Sequence, residues 1–181
     1  GGNITYGGNI TLVGATSSRV NGTIFTTSAI HVSSNSTTDN ELIRAIVGTT
    51  SLVANTLSEG RTIRLSAMGY YNTPAAPGTM IMSVALSGIT ILTTSSQTMT
   101  ASASTLGWQV EALITCQTTG GAGTVFAQGR FPRQTSATDW VSFQMVNSSP
   151  ITINTTGPNP IHLFCQWGTA QAASQVFCTN A

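Results

Sequence analysis

Trp108-Gln109-Val110-Glu111-Ala112-Leu113-Ile114-Thr115-Cys116 and Val125-Phe126-Ala127-Gln128-Gly129-Arg130-Phe131 are two alternating runs, and Thr118-Thr119-Gly120-Gly121-Ala122-Gly123 lies between them. In the first run Val110, Ala112, Ile114 and Cys116 fall on one face at period two. In the second, Val125, Ala127, Gly129 and Phe131 fall on the matching face. Period two belongs to a strand, whose successive side chains point to opposite sides. The glycine-rich stretch reads as the turn of a hairpin. Setting Cys116 opposite Val125 places Ile114 opposite Ala127 and Val110 opposite Phe131. The same register sets Glu111 opposite Arg130 on the polar face. A directly opposed charge pair favours that register over a one-residue slip, which would turn every apolar side chain to the wrong side.

Similar signals spread in both directions. Arg61–Met68 alternates polar with apolar, and Leu42–Val47 is a short apolar run. Met80–Leu86 and Ile89–Thr94 read as strands joined by Ser87-Gly88, a two-residue hairpin signal. Tyr70–Gly78 holds two prolines and a glycine and reads as a loop. Downstream, Asp139–Val146 and Ile151–Thr155 read as strands, and His162–Trp167 with Gln175–Thr179 reads as a last hairpin around Gly168–Ser174. Helical periodicity is absent apart from one possible turn at Ala170–Gln175. The tally is about nine to eleven short strands separated by Gly, Pro and Asn turns. That predicts an all-β fold, an antiparallel β-sandwich, with a jelly roll ahead of an immunoglobulin-like arrangement. The Cys…Trp…Cys spacing of a true immunoglobulin domain is missing. Residues 1–40 are richer in Gly, Asn, Ser and Thr, and Gly2-Asn3-Ile4-Thr5 recurs as Gly8-Asn9-Ile10-Thr11. They read as an extended N-terminal arm with short strands at Ile10–Val13 and Thr23–Thr27, placed to wrap a neighbouring subunit. Residues 41–181 read as the sandwich domain.

Composition narrows the function. Charged residues make up 6% of the 181 residues, against about 25% in ordinary soluble domains. The six bases are all Arg, the acids number five, and the net charge is +1. The polar surface is instead supplied by 31 Thr, 20 Ser and 18 Gly. Without a cluster of cations, binding to a nucleic-acid backbone is not expected. No apolar run reaches the roughly 20 residues of a membrane-spanning helix, and the first residues do not read as a secretory leader. Low charge with 40% hydrophobic residues is the reverse of the disordered signature. A chain without Lys also lacks the usual guards against edge-to-edge association. Its surface makes most sense if much of it faces other copies or another protein.

The chemistry-bearing residues are few. His31 falls in the arm and His162 heads a strand, where packing is the expected role. There is no G-x-S-x-G elbow, no P-loop and no dinucleotide fingerprint. Of the acids Asp39, Glu41, Glu59, Glu111 and Asp139, Glu111 already has an Arg partner, and no other pair suggests general acid–base work. Cys116, Cys165 and Cys178 contain no C-x-x-C, so neither zinc nor thiol redox chemistry is indicated. Cys165 and Cys178 flank the last hairpin, as buried thiols or as a cross-strand pair. No catalytic, metal or cofactor site is expected. The candidate contacts for a partner or receptor are Tyr70 and Tyr71 on their loop, because loops on a rigid sandwich carry recognition. Arg130, Phe131 and Arg133 join them, because Arg and aromatic residues gather at interface centres.

Three blocks resemble segments of β-rich virion proteins of tailed bacteriophages. They are Gly107–Cys116, Gly123–Phe131, and Gln166-Trp167-Gly168-Thr169-Ala170 followed by Cys178-Thr179-Asn180. The resemblance covers roughly residues 42–181. It implies a non-enzymatic part of the virion assembled in the host cytoplasm, such as a capsid decoration (cement) protein bound to the major capsid lattice. A tail- or head-fibre module that binds a host receptor or glycan is the second expectation. A small jelly-roll capsid protein is a lesser one, since the chain has no basic arm to neutralise a genome. Proteins of these kinds are commonly homotrimers, so self-association is expected, without nucleic acid or membrane.

Overall fold

The computed structural model describes residues 31–34, 36–43 and 50–181. The described residues form thirteen strands and no helix. In chain order they are β1 (His31–Ser34), β2 (Asn40–Glu41), β3 (Ser51–Leu52), β4 (Thr62–Asn72), β5 (Thr79–Leu86), β6 (Ile89–Thr93) and β7 (Gln97–Thr98). Then come β8 (Leu106–Thr118), β9 (Gly123–Gln134), β10 (Trp140–Val146), β11 (Ile151–Ile153), β12 (Asn159–Trp167) and β13 (Gln175–Asn180).

Two antiparallel sheets pack against each other. Sheet I runs β1-β13-β4-β8-β9-β10, with β11 also on β9, and sheet II runs β2-β12-β5-β6, with β3 on β12 and β7 on β5. The order follows a folded strip. The outermost pair in sequence, β1 and β13, are neighbours, and so are β2 and β12, then β4 and β8, then the central hairpin β5–β6. Successive pairs alternate between the sheets, which is the winding of a jelly roll. β9, β10 and β11 widen sheet I beyond that eight-strand pattern. The strip closes at Ser87-Gly88, where both residues have positive φ (53° and 76°). Two such residues in a row make the type I′ turn whose twist matches that of the strands it joins.

The expected β8–β9 register is present. Cys116 faces Val125, Ile114 faces Ala127 and Glu111 faces Arg130. The expected Val110–Phe131 pair is not part of the ladder, which lapses between Glu111 and Trp108, where Pro132 has no N–H to give. Inward side chains of β8, namely Trp108, Val110, Ala112, Ile114 and Cys116, are all buried. They meet Ile63, Leu65 and Ala67 of β4, Val125, Ala127 and Phe131 of β9, and Met82, Val84 and Leu163 of sheet II in one core. Gly69 lies opposite Trp108. A Cβ there would sit 1.8 Å from the Phe177 carbonyl oxygen. That open space lets the Phe177 carbonyl accept the buried Trp108 indole N–H at 3.1 Å. The one polar atom of the Trp108 side chain is thereby satisfied, whereas the equally buried Trp167 indole N–H finds no partner among the described residues.

Several expectations need correction. Residues 1–30 of the expected arm, with its two short strands, lie outside the described residues. β1 and Asn40 also fall within that arm, yet both pair with sandwich strands, so the domain begins ahead of residue 41. The last two strands are not a hairpin: β12 lies in sheet II and β13 in sheet I. Their 168–174 connection crosses the sandwich, so Cys165 and Cys178 are not neighbours in a ladder. Tyr70 and Tyr71 belong to β4, which runs on to Asn72, and the loop starts only after it. Leu42 and Ile43 are buried without being a strand, and the rest of that apolar run is outside the described residues.

Parity along β8 gives a direct test. Ile114→Ala opens a cavity in the core and should cost about 2–5 kcal/mol in a denaturant melt. Leu113→Ala, one residue away on the outer face, should stay within roughly 1 kcal/mol of the parent. Equal losses would mean that the register is wrong.

Candidate interaction face

The outer face of sheet I is built from the even positions of β4, β9 and β10 and the odd positions of β8. Across its middle runs Arg64–Glu111–Arg130. Arg130 is directly opposite Glu111 and holds Oε2 through Nε (3.0 Å) and Nη2 (2.6 Å). Arg64 reaches diagonally from β4, with Nη2 2.7 Å from Oε1. The Arg130 bonds first, and then the Arg64 bond, hold the Glu111 carboxyl below its ordinary value. The two arginine side chains remain 64% and 57% exposed, so this cluster is a solvated feature of small worth to stability.

A shallow groove of about 450 Å³ opens beside it. It is lined by Arg64 of β4, by Glu111, Ala112 and Leu113 of β8, by Gln128, Gly129 and Arg130 of β9, and by Gln144 and Val146 of β10. Apolar exposure concentrates on the same face. Met68, Leu113, Trp140 and Val146 are 41–59% exposed, and only two other large apolar residues, Val53 and Ile89, are as open among the described residues. At the far side of the face Tyr70 stacks on Phe177 with ring centroids 4.4 Å apart.

The five expected contact residues therefore separate. Tyr70 and Arg130 are on this outer face. Tyr71, Phe131 and Arg133 are buried, which corrects the expectation that they meet a partner. Strand parity is the physical reason. Tyr71 continues the inward series Ile63, Leu65, Ala67 of β4, and Arg133 continues the inward series Val125, Ala127, Phe131 of β9. The Arg133 guanidinium donates from Nη1 to Tyr71 Oη and Thr100 Oγ1, both 3.2 Å away, and from Nη2 to the Thr98 carbonyl at 2.6 Å. It also lies 5.5 Å from the Phe143 ring centre. Tyr71 in turn donates to the Gln134 carbonyl. Hydroxyls, a carbonyl and a ring face surround this cation in place of a carboxylate. Its weakly hydrated, planar head suits such a site better than an ammonium would.

Groups able to do chemistry are scattered. Among the described residues no three His, Cys, Asp or Glu side chains gather in a way that could hold a metal ion. His162 Nδ1 lies 2.7 Å from Glu41 Oε1, tying β12 to β2. Cys116 and Cys178 are buried free thiols. Burial pushes the Cys116 thiol up and the Cys178 thiol up to about 11, the reverse of a reactive thiolate. Comparison of the chain with protein-family models, with curated proteins and with solved structures returns no match.

Parity of β4 places Arg64 on the polar face, but nothing local says that β4 pairs with β8, from which it reaches Glu111. Gln128, Gln144 and Val146 escape a local reading for the same reason, since the groove joins four strands.

The Cys178 shift fixes a pH window. The folded thiol keeps its proton to a higher pH than the unfolded one. Its stabilisation is thus complete below the unfolded value of 9.0 and is lost as pH rises through about 11. Chemical melts across that interval should show a loss on the order of 2 kcal/mol, and Cys178→Ala should flatten it. An unchanged slope in the variant would refute the assignment.

Proposed function

We propose that the chain is a structural protein of a virion, a decoration (cement) protein of a tailed-phage capsid that binds the major capsid lattice. The observation that carries this reading is the outer face of sheet I. Its Arg64–Glu111–Arg130 cluster spends one carboxylate on two guanidinium groups, and Met68, Leu113, Trp140 and Val146 stand open on the same face. Exposed apolar side chains gathered on one face mark a surface that another protein covers. The three blocks similar to phage virion proteins favour a capsid as that protein. The charge-poor composition is consistent with it, because such an interface would draw its affinity from buried area and strand pairing.

The groove beside Glu111 favours a second reading, a head- or tail-fibre module. Gln128 and Gln144 amides with two guanidinium groups form a set of donors suited to hydroxyl and carboxylate groups of a host glycan.

Binding to empty capsids assembled without this protein separates the two. The decoration reading expects saturable binding, weakened about tenfold or more by Leu113→Asp or Val146→Asp, roughly 1.4 kcal/mol. Both positions are exposed, so the melting temperature should hardly move. Absence of binding to such capsids contradicts the reading. Loss of host adsorption in Gln128→Ala with Gln144→Ala, with assembly intact, would replace it by the fibre reading.

A further inference from the structure

We infer that strand β10 is a self-association edge, at which two copies of this chain join sheet I to sheet I across a two-fold axis through Phe143. The inference rests on the strand's own pattern and goes beyond the capsid reading, which can fail without it.

β10 closes one side of sheet I and pairs only with β9 among the described residues. The direction of its backbone groups can be worked out. Thr135 N–H donates to the Asp139 carbonyl at 2.8 Å across the β9–β10 connection. In an antiparallel ladder, bonded and non-bonded pairs alternate. Counting from Thr135 opposite Asp139, Val141, Phe143 and Met145 spend their N–H and C=O groups on β9. Pro132 opposite Ser142 agrees with that parity, because the non-bonded pair requires no N–H from proline. The N–H and C=O groups of Trp140, Ser142, Gln144 and Val146 therefore point out of the open edge.

Natural sheets blunt such edges with Lys, Pro, a bulge or an inward charge. β10 is seven residues of Trp-Val-Ser-Phe-Gln-Met-Val, with no charge and no proline. Read from either end, its polarity is the same: two apolar residues, a polar one, Phe143, a polar one, two apolar. An antiparallel partner of identical sequence centred on Phe143 sets like against like. On the outer face Trp140, 49% exposed, meets Val146 of the second copy, 59% exposed, and Ser142 meets Gln144. On the inner face Val141 meets Met145, and Phe143 meets itself. A slip of two residues in either direction sets an apolar side chain against a polar one. In the matched register the outward groups of the four even residues form about eight backbone hydrogen bonds. Two of the exposed apolar side chains of the outer face are covered in the same step. The contact is isologous, each copy offering the same surface, and it makes a dimer in place of the homotrimer expected from the resemblance. One seven-residue edge is small beside a standard interface, so association in the micromolar range is expected.

Sedimentation of the full chain, with amide hydrogen exchange as a second readout, tests this. The parent protein should reach twice the monomer mass as concentration rises. The Ser142 and Gln144 amides should become protected in step with it, although neither has a partner among the described residues of one chain. The double variant Ser142→Lys/Gln144→Lys sets like charges opposite each other across the axis, and Ser142→Glu/Gln144→Glu does the same with the other sign. Both positions are exposed, and each variant alone should halve the mass while keeping the parent circular dichroism. An equimolar mixture of the two should recover the dimer. A parent that stays monomeric, fast exchange at Ser142 and Gln144 in an oligomer, or variants that associate like the parent would each overturn the proposal. Failure of the mixture to pair would overturn the register. If the variants do not fold, the exchange of the two amides in the parent still decides.

Discussion

The double pairing of β8 is the constraint on which the structure turns. This strand lies between β4 and β9, and both ladders extend along most of its length. Alternation then leaves no freedom. Trp108, Val110, Ala112, Ile114 and Cys116 must enter the core, and Glu111 and Leu113 must face out. Because β9 follows β8 through a short turn, its own parity is fixed too, and Arg133 is carried inside with Phe131. β4 lies on the other side, and its second ladder, to β13, brings Gly69 against Phe177, where a side chain could not fit. The outer cluster and the groove are consequences of the same registers, since their residues come from β4, β8, β9 and β10.

Much of the fold was legible because period two is a local property. The β8–β9 register could be read from the apolar pairs Cys116–Val125 and Ile114–Ala127 and one charge pair, and a two-residue turn from Ser87-Gly88. What could not be read was the long-range pairing. His162–Trp167 and Gln175–Thr179 look like a hairpin, but a crossing between sheets uses the same turn residues as a return within one. The two-residue strands β2, β3 and β7 are too short to show alternation at all. The misplacement of Tyr71 and Arg133 is different in kind. Both continue an inward series visible in the sequence, while their residue types point to the surface. A buried guanidinium with hydroxyl and carbonyl partners is uncommon enough that charge argued for the surface. The structure resolves that conflict in favour of the strand period, with Tyr71, Thr100 and Thr98 supplying the acceptors.

A jelly roll carries many functions, and the winding alone assigns none. The weight falls on what the surface is made of. Solubility comes from hydroxyls and amides, which hydrate a surface without giving it a field. Such a surface has little long-range steering and little charge repulsion between copies. Close, register-dependent contact is what it can use, through an exposed apolar face and an uncapped strand edge. Both lie on sheet I, the sheet that β9, β10 and β11 extend beyond the eight-strand winding. The extension therefore gives the sandwich its open edge at β10 and part of its exposed apolar face.

Assembly by burial and strand pairing, with charge as a bystander, is the claim at the centre of this account. It is tested most directly by the light-scattering mass of the full chain at one protein concentration in dilute buffer and in 1 M NaCl, where the Debye length is about 3 Å. The account predicts a mass above that of the monomer in both. A monomer in dilute buffer, or an assembly that comes apart when salt is added, would contradict it.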